Sequence, residues 1–296
     1  MNTPAPASQP ASGRADFRFV DRLRVRWVEV DLQKIVFNGH YLMYFDTAMA
    51  GYWRALAVPY HDTMALLQGD LFVRKSALEY EGSARYDDEL DVGIRCSRIG
   101  NSSILFSGAA FRGDEGLVSC ELVYVFADPD SMVPRSVPPQ LRELMMGLEA
   151  GRPMVEVRVG RWSELEHHAR PIRAAVFIDE QRIPADMEWD AADAACVHAV
   201  AYNHFGMPLA TGRLLEHVPG TAKIGRLAVR ADLRESGIGR HVLDALMAAA
   251  RARGDREVLL HAQTSAARFY QLAGFHTRGP EFHEAGIAHV EMVRTL

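Results

Sequence analysis

The chain has few cysteines, no strongly basic segment and no long apolar run. Its 296 residues contain only Cys96, Cys120 and Cys196, and this odd, widely spaced set predicts neither a disulfide framework nor a paired set of metal ligands. The formal net charge of −5 favours no nucleic-acid partner, because phosphate backbones require clustered Lys and Arg. No stretch approaches the roughly 20 apolar residues of a membrane-spanning helix. We therefore expect a protein of the reducing cytoplasm without a membrane partner.

The N-terminal sequence predicts no secretory signal. MNTPAPASQPASG begins with neither a charged segment nor an apolar core, and its Pro, Ala and Ser content predicts a disordered tail over residues 1–17. The remaining length suits two domains of ordinary size. A proline-rich segment at 128–140 and Gly151-Arg152-Pro153 are typical of a boundary. We place the two domains at residues 18–150 and 151–296.

The first domain combines one long apolar helix with a run of strands. Apolar residues recur at helical spacing from His40 to Val58. Strand-like runs near 90–99, 103–112 and 117–126 are separated by Gly-Asn and Gly-Asp-Glu-Gly turn signals. This order favours an α+β domain in which an antiparallel sheet wraps around a helix that is buried almost all round.

The second domain alternates strands and helices. A capping box at Ser163 predicts the start of a helix, which Pro171 should kink or restart. Amphipathic spacing predicts a strong helix over 237–253, and a further helix from Ser265 to Ala273 that ends at Gly274. Strands are expected at 154–160, 197–202, 208–216, 223–230 and 256–262. No internal repeat relates the two halves, so the chain is interpreted as a fusion of unlike domains.

Asp31 is the candidate catalytic residue of the first domain. It follows the first strand and precedes the apolar helix, where a carboxylate can act on a thioester carbonyl as general base or as nucleophile. Backbone N–H groups at the helix start, near Asn38 and Gly39, can polarise that carbonyl. The alternative from pattern alone is that Asp31 only caps a helix.

Residues 18–140 resemble the 4-hydroxybenzoyl-CoA thioesterase-like branch of the hotdog superfamily. DLQKIVFNGHY, YFDTA, LEYEGSARYDDELDV and VFADPDSMVPRSVP carry the resemblance in this order. It implies a hotdog fold, Asp31 as the catalytic carboxylate, a backbone amide at Asn38 for the thioester oxygen, and a homodimer or homotetramer through this domain. Val30 and the pair Gln33-Lys34 depart from the family pattern. His40 is interpreted as a residue that orients or packs locally, and the acid–base pair of a hydratase on this fold is not found.

The segment around Gly237 predicts a phosphate-binding turn in the second domain. RESGIGR, residues 234–240, follows a strand and opens a helix. Glycines let the backbone approach a phosphate, and the helix N-terminus supplies N–H donors. Arg234 and Arg240 can add charge-assisted contacts. The alternative is a glycine-rich turn without a ligand, and the spacing matches neither a dinucleotide fingerprint nor a P-loop.

This segment resembles the acyl-CoA pyrophosphate loop of the GNAT N-acetyltransferases, and the likeness extends over residues 154–296. HAQTSAARFYQLAGF, FHEAGIAHVEM and IRAAVFIDEQRIP are similar to the ElaA-like branch. The resemblance implies an α/β fold with a mixed sheet, with acetyl-CoA or another acyl-CoA as substrate, and Tyr270 as general acid for the departing thiolate. The main chain of Leu227, Ala228 and Val229 would pair with the pantetheine arm. Amides from Arg234 to Arg240, including those of Ser236, Gly237, Ile238 and Gly239, would hold the pyrophosphate.

The second domain departs from this family where many relatives carry a glutamate base. Lys223-Ile224-Gly225-Arg226 stands on the strand before the loop. The base stays open between a relayed water, Glu216 and His198. Arg226 could steer an anionic acceptor or form a surface salt bridge. No cysteine lies beside the loop, which favours direct transfer in a ternary complex.

Neither a metal nor a tightly bound cofactor is expected. His283, Glu284 and His289 do not have the H-E-x-x-H spacing of a zinc site. Our leading hypothesis is a bifunctional enzyme that hydrolyses an acyl-CoA with its first domain and transfers an acyl group, most simply acetyl, from CoA to an amine with its second. The alternative is a thioesterase with a non-catalytic domain that senses acetyl-CoA. A scaffold with two inactive sites is disfavoured by Asp31, the loop glycines and Tyr270.

Overall fold

The computed structural model describes residues 13–296 of the chain. These residues form two compact units, one ending at Met154 and the other beginning at Val155. The predicted tail therefore lies mostly outside the described residues. Within it, Arg14–Asp16 form a 3-10 helix and Phe17 is buried, so ordered backbone begins earlier than we expected.

The first unit contains a single antiparallel sheet and three helices. In chain order its elements are β1 (Phe19–Arg24), α1 (Asn38–Ala55), α2 (Tyr60–Leu66), β2 (Asp70–Tyr80), β3 (Glu89–Ile99), β4 (Ser103–Arg112), β5 (Glu115–Ala127) and α3 (Pro139–Glu149). The strand order across the sheet is β1-β3-β4-β5-β2, and every pairing is antiparallel. Residues Trp27–Glu29 add a 3-10 turn between β1 and α1.

Helix α1 supplies the core of this unit. Its buried residues recur around most of the helix: Tyr41, Tyr44, Phe45, Ala48, Met49, Gly51, Tyr52 and Trp53. Glycine at position 51 permits a close approach, because a Cβ there would lie 2.5 Å from the ring of Phe19 on β1. The predicted sheet around a buried helix is confirmed, and this arrangement places the start of α1 at the end of the loop that carries Asp31.

The second unit contains a mixed sheet with helices on its faces. In chain order its elements are β6 (Glu156–Arg161), α4 (Trp162–Arg173), α5 (Ala185–Glu188), β7 (Val197–Tyr202), β8 (Pro208–Val218), β9 (Thr221–Val229), α6 (Ile238–Arg253), β10 (Glu257–Gln263), α7 (Ala267–Leu272), β11 (His276–Glu284) and β12 (Ile287–Thr295). The strand order is β11-β12-β10-β9-β8-β7-β6. Strands β9 and β10 pair in parallel, whereas the other neighbours are antiparallel.

Two local features of this unit differ from the sequence-based expectation. Helix α4 contains Pro171 and continues directly into a π-helical turn at Ala174–Glu180, so the proline neither ends nor restarts it. The capping box also lies two residues earlier than predicted, because Glu164 accepts the amide of Arg161. The α/β class with a mixed sheet is confirmed.

Candidate active sites

Asp31 lies at the base of a tight turn in the first unit. Its amide donates to the carbonyl of Ile35 at 2.9 Å, and its carbonyl accepts the amide of Lys34 at 3.0 Å. Lys34 closes this turn with a left-handed φ of 61°. Oδ1 of Asp31 accepts the amide of Gln33 at 2.8 Å, which fixes the carboxylate while Oδ2 stays available. The carboxylate is therefore held by its own turn and does not cap α1.

The start of α1 lies on the returning arm of the same hairpin. Val30 and Val36 form an antiparallel bridge, and the amide of Phe37 donates to the carbonyl of Glu29 at 2.9 Å. The amides of Asn38 and Gly39 follow, and within residues 13–296 neither has a protein acceptor. The carbonyl of Asn38 accepts the hydroxyl of Tyr80 at 3.1 Å. The hairpin thus carries a carboxylate on one arm and free helix N-terminal donors on the other.

Glu29 is a buried residue beside this site that the sequence analysis missed. Its carboxylate accepts the hydroxyl of Tyr44 at 2.7 Å and the backbone and side chain of Arg26, both at 2.7 Å. These hydrogen bonds outweigh the effect of burial and lower the pKa of Glu29. Glu29 joins the 3-10 turn to α1 and so helps to position the hairpin. The sequence feature that could have identified Glu29 is an acidic residue within the largely apolar segment before the turn.

Apolar side chains around the Asp31 turn are exposed. Leu32 at its tip is fully exposed, and the large apolar residues on either side are at least half exposed: Trp27, Val28 and Phe37. Trp27 packs edge-on against Tyr86, which is also exposed. Several exposed apolar side chains near one turn are typical of a surface that binds a partner or an apolar ligand.

The sheet of the second unit opens between its two parallel strands. Pairing of β9 with β10 ends at Ile224 and Leu260, although β9 continues to Val229 and β10 to Gln263. Beyond this point β9 pairs only with β8 and β10 only with β12. The facing backbone edge of Gly225–Val229 therefore has no strand partner, although the carbonyl of Val229 accepts Nε of Arg234 at 3.4 Å. This edge includes Leu227, Ala228 and Val229, the residues predicted to pair with a pantetheine arm.

The glycine-rich loop ends this open edge and presents free amides. Glu235 and Gly237 have left-handed φ values of 67° and 84°, which turn successive N–H groups toward one side. The amides of residues 235–239 donate to no acceptor in the described part of the chain. A Cβ on Gly239 would lie 3.1 Å from Val229, so glycine lets the loop pack on β9. This geometry suits an anion at the start of α6.

The two ends of the predicted loop differ from the expectation. The amides of Arg234 and Arg240 donate to the carbonyls of Ala231 and Gly237, so they are not free for a phosphate. Their side chains are also paired with carboxylates. Arg234 binds Glu180 through two contacts of 2.7 and 2.5 Å.

Arg240 binds Asp244 one turn further along α6 at 2.9 Å. Ser236 directs its hydroxyl to the carbonyl of Leu233 at 2.6 Å. The free donors of this loop are therefore backbone amides, and its arginines would have to exchange a carboxylate for a phosphate.

Tyr270 on α7 is buried among aromatic rings. Its ring packs edge-on against Phe269 and Phe275, with centroids 4.9 and 6.0 Å away. Burial raises its pKa to about 12. The phenol therefore stays protonated across the physiological pH range, which is the state a proton donor requires.

Neither predicted candidate for the base lies at the opening of the sheet. Glu216 is exposed and pairs with Ala222 at the opposite end of β9. His198 is buried, and its Nε2 lies 2.9 Å from the carbonyl of Asp193. Burial also lowers the pKa of His198. Glu216 thus lies near the other end of β9, and His198 lies two strands from the opening, level with Gly225, with its Nε2 directed at a backbone carbonyl.

Arg226 belongs to an internal network of ion pairs. It has a left-handed φ of 52° at an irregularity in the pairing of β8 with β9. Its guanidinium binds the buried carboxylate of Glu188 at 2.8 Å, and Glu188 also binds the buried Arg173 at 2.6 Å. Arg213 joins through Asp193 at 2.8 Å. The shortest salt bridge of Arg226 is therefore made to a buried carboxylate, and a longer contact of 3.5 Å reaches the partly exposed Asp190.

The described residues contain neither a metal-binding cluster nor a membrane-spanning helix. No group of three or more His, Cys, Asp or Glu side chains within residues 13–296 is arranged to hold a metal ion. No helix in this range has the length and apolar character required to span a membrane.

Comparisons with known families match each unit separately. A model of the thioesterase superfamily matches residues 33–119, and a model of the acetyltransferase (GNAT) domain matches residues 177–296. Both predicted resemblances are therefore confirmed.

Individual relatives also match one unit each. The uncharacterized N-acetyltransferase YjcF of Bacillus subtilis is 34% identical over 124 residues, which cover 42% of this chain and 87% of the relative. The crystal structure of Escherichia coli ElaA is 27% identical, with a TM-score of 0.44, and the match covers 48% of this chain and 99% of ElaA. The structure of DHNA-CoA thioesterase from Staphylococcus aureus is 18% identical, with a TM-score of 0.41, covering 44% of this chain and 90% of that one.

Proposed function

We propose that this chain, which belongs to the GNAT acetyltransferase family over its second unit and carries a thioesterase-superfamily domain in its first, is a bifunctional acyl-CoA enzyme. The first unit would hydrolyse an acyl-CoA thioester. The second would transfer an acyl group, most simply acetyl, from CoA to an amine. The single observation that best supports this proposal is the unpaired edge of β9 leading into the free amides of residues 235–239, because it offers separate binding elements for pantetheine and pyrophosphate.

Hydrolysis is assigned to the hairpin of Asp31. A carboxylate that is fixed through Oδ1 can act through Oδ2 as base on water or as nucleophile on the thioester carbonyl. The free amides of Asn38 and Gly39 would stabilise the negative charge that develops on the carbonyl oxygen. Product is a carboxylic acid and free CoA, and no metal is needed for this step.

A homodimer or homotetramer through the first unit is part of the proposal. The exposed apolar side chains around the turn, which include Trp27, Val28 and Leu32, support a surface that is covered in solution. A partner subunit would also complete the apolar wall for the acyl chain. Size-exclusion chromatography with light scattering tests this, and a monomer at working concentration would contradict it.

Acyl transfer is assigned to the opening between β9 and β10. The backbone of Leu227–Val229 would pair with the pantetheine amides, and the amides of Ser236–Gly239 would hold the pyrophosphate. The amine nitrogen would attack the acyl carbon, and the C–S bond would break. Tyr270 would then protonate the departing thiolate, since burial keeps its hydroxyl neutral.

The second candidate function is a sensing domain that binds acetyl-CoA without transferring the acyl group. Arg226 favours it, because a cation stands on the strand where many GNAT enzymes carry a glutamate base, and Arg226 is already neutralised by Glu188. In that case acetyl-CoA would change the rate of the thioesterase, and no amine would become acylated.

A single assay separates the two functions. Purified full-length protein is incubated with a panel of acyl-CoA substrates, and free thiol is followed with and without primary amines. Amine-independent release reports hydrolysis, and amine-dependent release with an acylated product detected by mass spectrometry reports transfer. Absence of the first overturns the thioesterase assignment, and absence of the second overturns the transferase assignment.

A further inference from the structure

The opening of the sheet begins beside His261 on β10. The last paired residues of β9 and β10 are Ile224 and Leu260. His261 is thus the first residue of β10 beyond the pairing, level with Gly225 on β9. It is partly buried, with 28% of its side chain exposed, so its ring is accessible from the opening without lying freely in solvent.

Side chains alternate between the two faces of a strand, so His261 lies on the opposite face of the sheet from Leu260 and Ala262. Leu260 and Ala262 are buried on one side, and Ile224 on β9 is buried likewise. Lys223, Gly225 and His261 therefore share the other side. A Cβ on Gly225 would meet nothing within 4 Å, so open space lies directly above Gly225 and beside the imidazole.

Charged groups from three neighbouring strands face this imidazole. Nζ of Lys223 on β9 lies 3.3 Å from Nδ1, and a carboxylate oxygen of Glu284 on β11 lies 3.5 Å from the same nitrogen. Glu291 on β12 lies 3.8 Å from Nε2 and also binds Arg278 at 2.6 Å. The carboxylates of Glu284 and Glu291, on both sides of the ring, can attract a primary ammonium to this face of the sheet.

We propose that His261 is the general base of the acyl transfer and that the space above Gly225 receives the acceptor amine. This proposal rests on the acetyltransferase function proposed above. The nitrogen–carbon bond forms as the carbon–sulfur bond breaks, and the electron pair leaves with sulfur. An acceptor that arrives as an ammonium loses one proton to solvent before it attacks, and the proton that the amine nitrogen releases on attack passes to His261 and then to solvent. The thiolate receives the proton of Tyr270, which solvent replaces.

The test uses full-length protein with acetyl-CoA and four named amines: spermidine, glucosamine, tyramine and a hexapeptide with a free N-terminus. His261→Gln should lower the amine-dependent kcat by about 100-fold or more, the range expected for a general base. It should leave the Kd for CoA within about twofold. Added imidazole should restore part of the rate. The exposed His276→Gln on β11 is the control and should change neither value.

A second variant addresses the acceptor space. Gly225→Val should raise KM for the amine at least tenfold and leave the Kd for CoA unchanged, because the new side chain fills the space above β9. If the wild type acetylates an amine and His261→Gln does so with the same kcat, His261 is not the general base, whereas the transferase function still stands. An unchanged KM in Gly225→Val overturns the acceptor space. A wild type that acetylates none of the four amines overturns this proposal together with the transferase function.

Discussion

Nε of Arg226 lies 2.8 Å from the carboxylate of Glu188. Arg226 stands on β9 at the edge of the opening, whereas Glu188 ends the short helix α5 and is only 1% exposed. The pair therefore fixes the segment after the π-helical turn against the strand that borders the proposed acyl site. The guanidinium of Arg226 therefore has a structural role, and it need not bind an acceptor.

Glu188→Gln should destabilise the second unit by about 3–5 kcal/mol, because it removes the buried carboxylate that Arg173 and Arg226 share and leaves the buried Arg173 with Asp193 as its remaining carboxylate partner. Trp162 and Trp189 lie over Arg173, with ring centroids 5.3 and 4.8 Å away. Tryptophan fluorescence during urea denaturation should therefore report the loss. Glu166→Gln removes an exposed ion pair on α4 and should cost less than about 1 kcal/mol. Equal free energies of unfolding for the two variants would contradict the network.

Asp31→Asn should lower thioesterase kcat by about 100-fold or more, because the amide can neither attack the thioester nor accept a proton from water. The hydrogen bond from Gln33 can persist, since an amide oxygen also accepts, so the turn should stay folded. Activity is measured as thiol release from acyl-CoA without amine. Asp114→Asn in the exposed turn between β4 and β5 is the matched control. Turnover of Asp31→Asn within about threefold of the wild type would show that another group does the chemistry.

Much of the fold could be predicted from hydrophobic periodicity. The long helix α1 and strands β3 to β5 were predicted within a few residues because their patterns are strong and local. Two strands, His276–Glu284 and Ile287–Thr295, were not predicted. Almost all residues of β11 are exposed, so its sequence lacks the alternation of apolar and polar residues that predicts a strand. The restart predicted at Pro171 does not occur, because α4 continues past the proline into an adjoining π-helical turn.

The candidate sites were predicted unevenly for a related reason. Asp31 and the glycines of the loop lie in short contiguous segments, which a sequence motif can capture. The network around Glu188 joins residues from α4, α5, β8 and β9, so it depends on tertiary packing. His261 is the first residue of the motif HAQTSAARFYQLAGF, but its position level with Gly225 follows only from the register of β9 and β10.

Gly237→Glu should weaken CoA binding to the second unit by at least tenfold. The new carboxylate would stand beside amides 235–239, where it repels a pyrophosphate and competes for the same donors. Isothermal calorimetry of the variant with CoA should then detect one class of binding site fewer than in the wild type. Gly206→Glu is a close control, because Gly206 also has a left-handed φ and open space around its Cβ position. Both substitutions carry a similar backbone cost of about 1 kcal/mol. Equal CoA affinity in the two variants would contradict the loop assignment.

Tyr270→Phe should lower amine-dependent kcat on the order of 100-fold and leave CoA binding unchanged, because only the proton for the thiolate is removed. Burial raises the pKa of Tyr270 to about 12, so the folded protein favours the neutral phenol. The stability that this shift contributes is present below pH 10 and is lost as pH rises toward 12, since the unfolded chain then releases the proton first. Below pH 10 the transfer rate should therefore show no alkaline decline from this group.

Tyr202→Phe is the control for removal of a buried phenol in the same unit. The hydroxyl of Tyr202 bonds His168 at 2.6 Å, on β7 and away from the opening between β9 and β10, so this variant should keep wild-type transfer kinetics. Kinetics are measured between pH 6 and pH 10 with acetyl-CoA and the amine that the wild type acetylates. An equal loss of kcat in both variants would indicate a packing effect. Full activity of Tyr270→Phe would show that water or another residue protonates the thiolate.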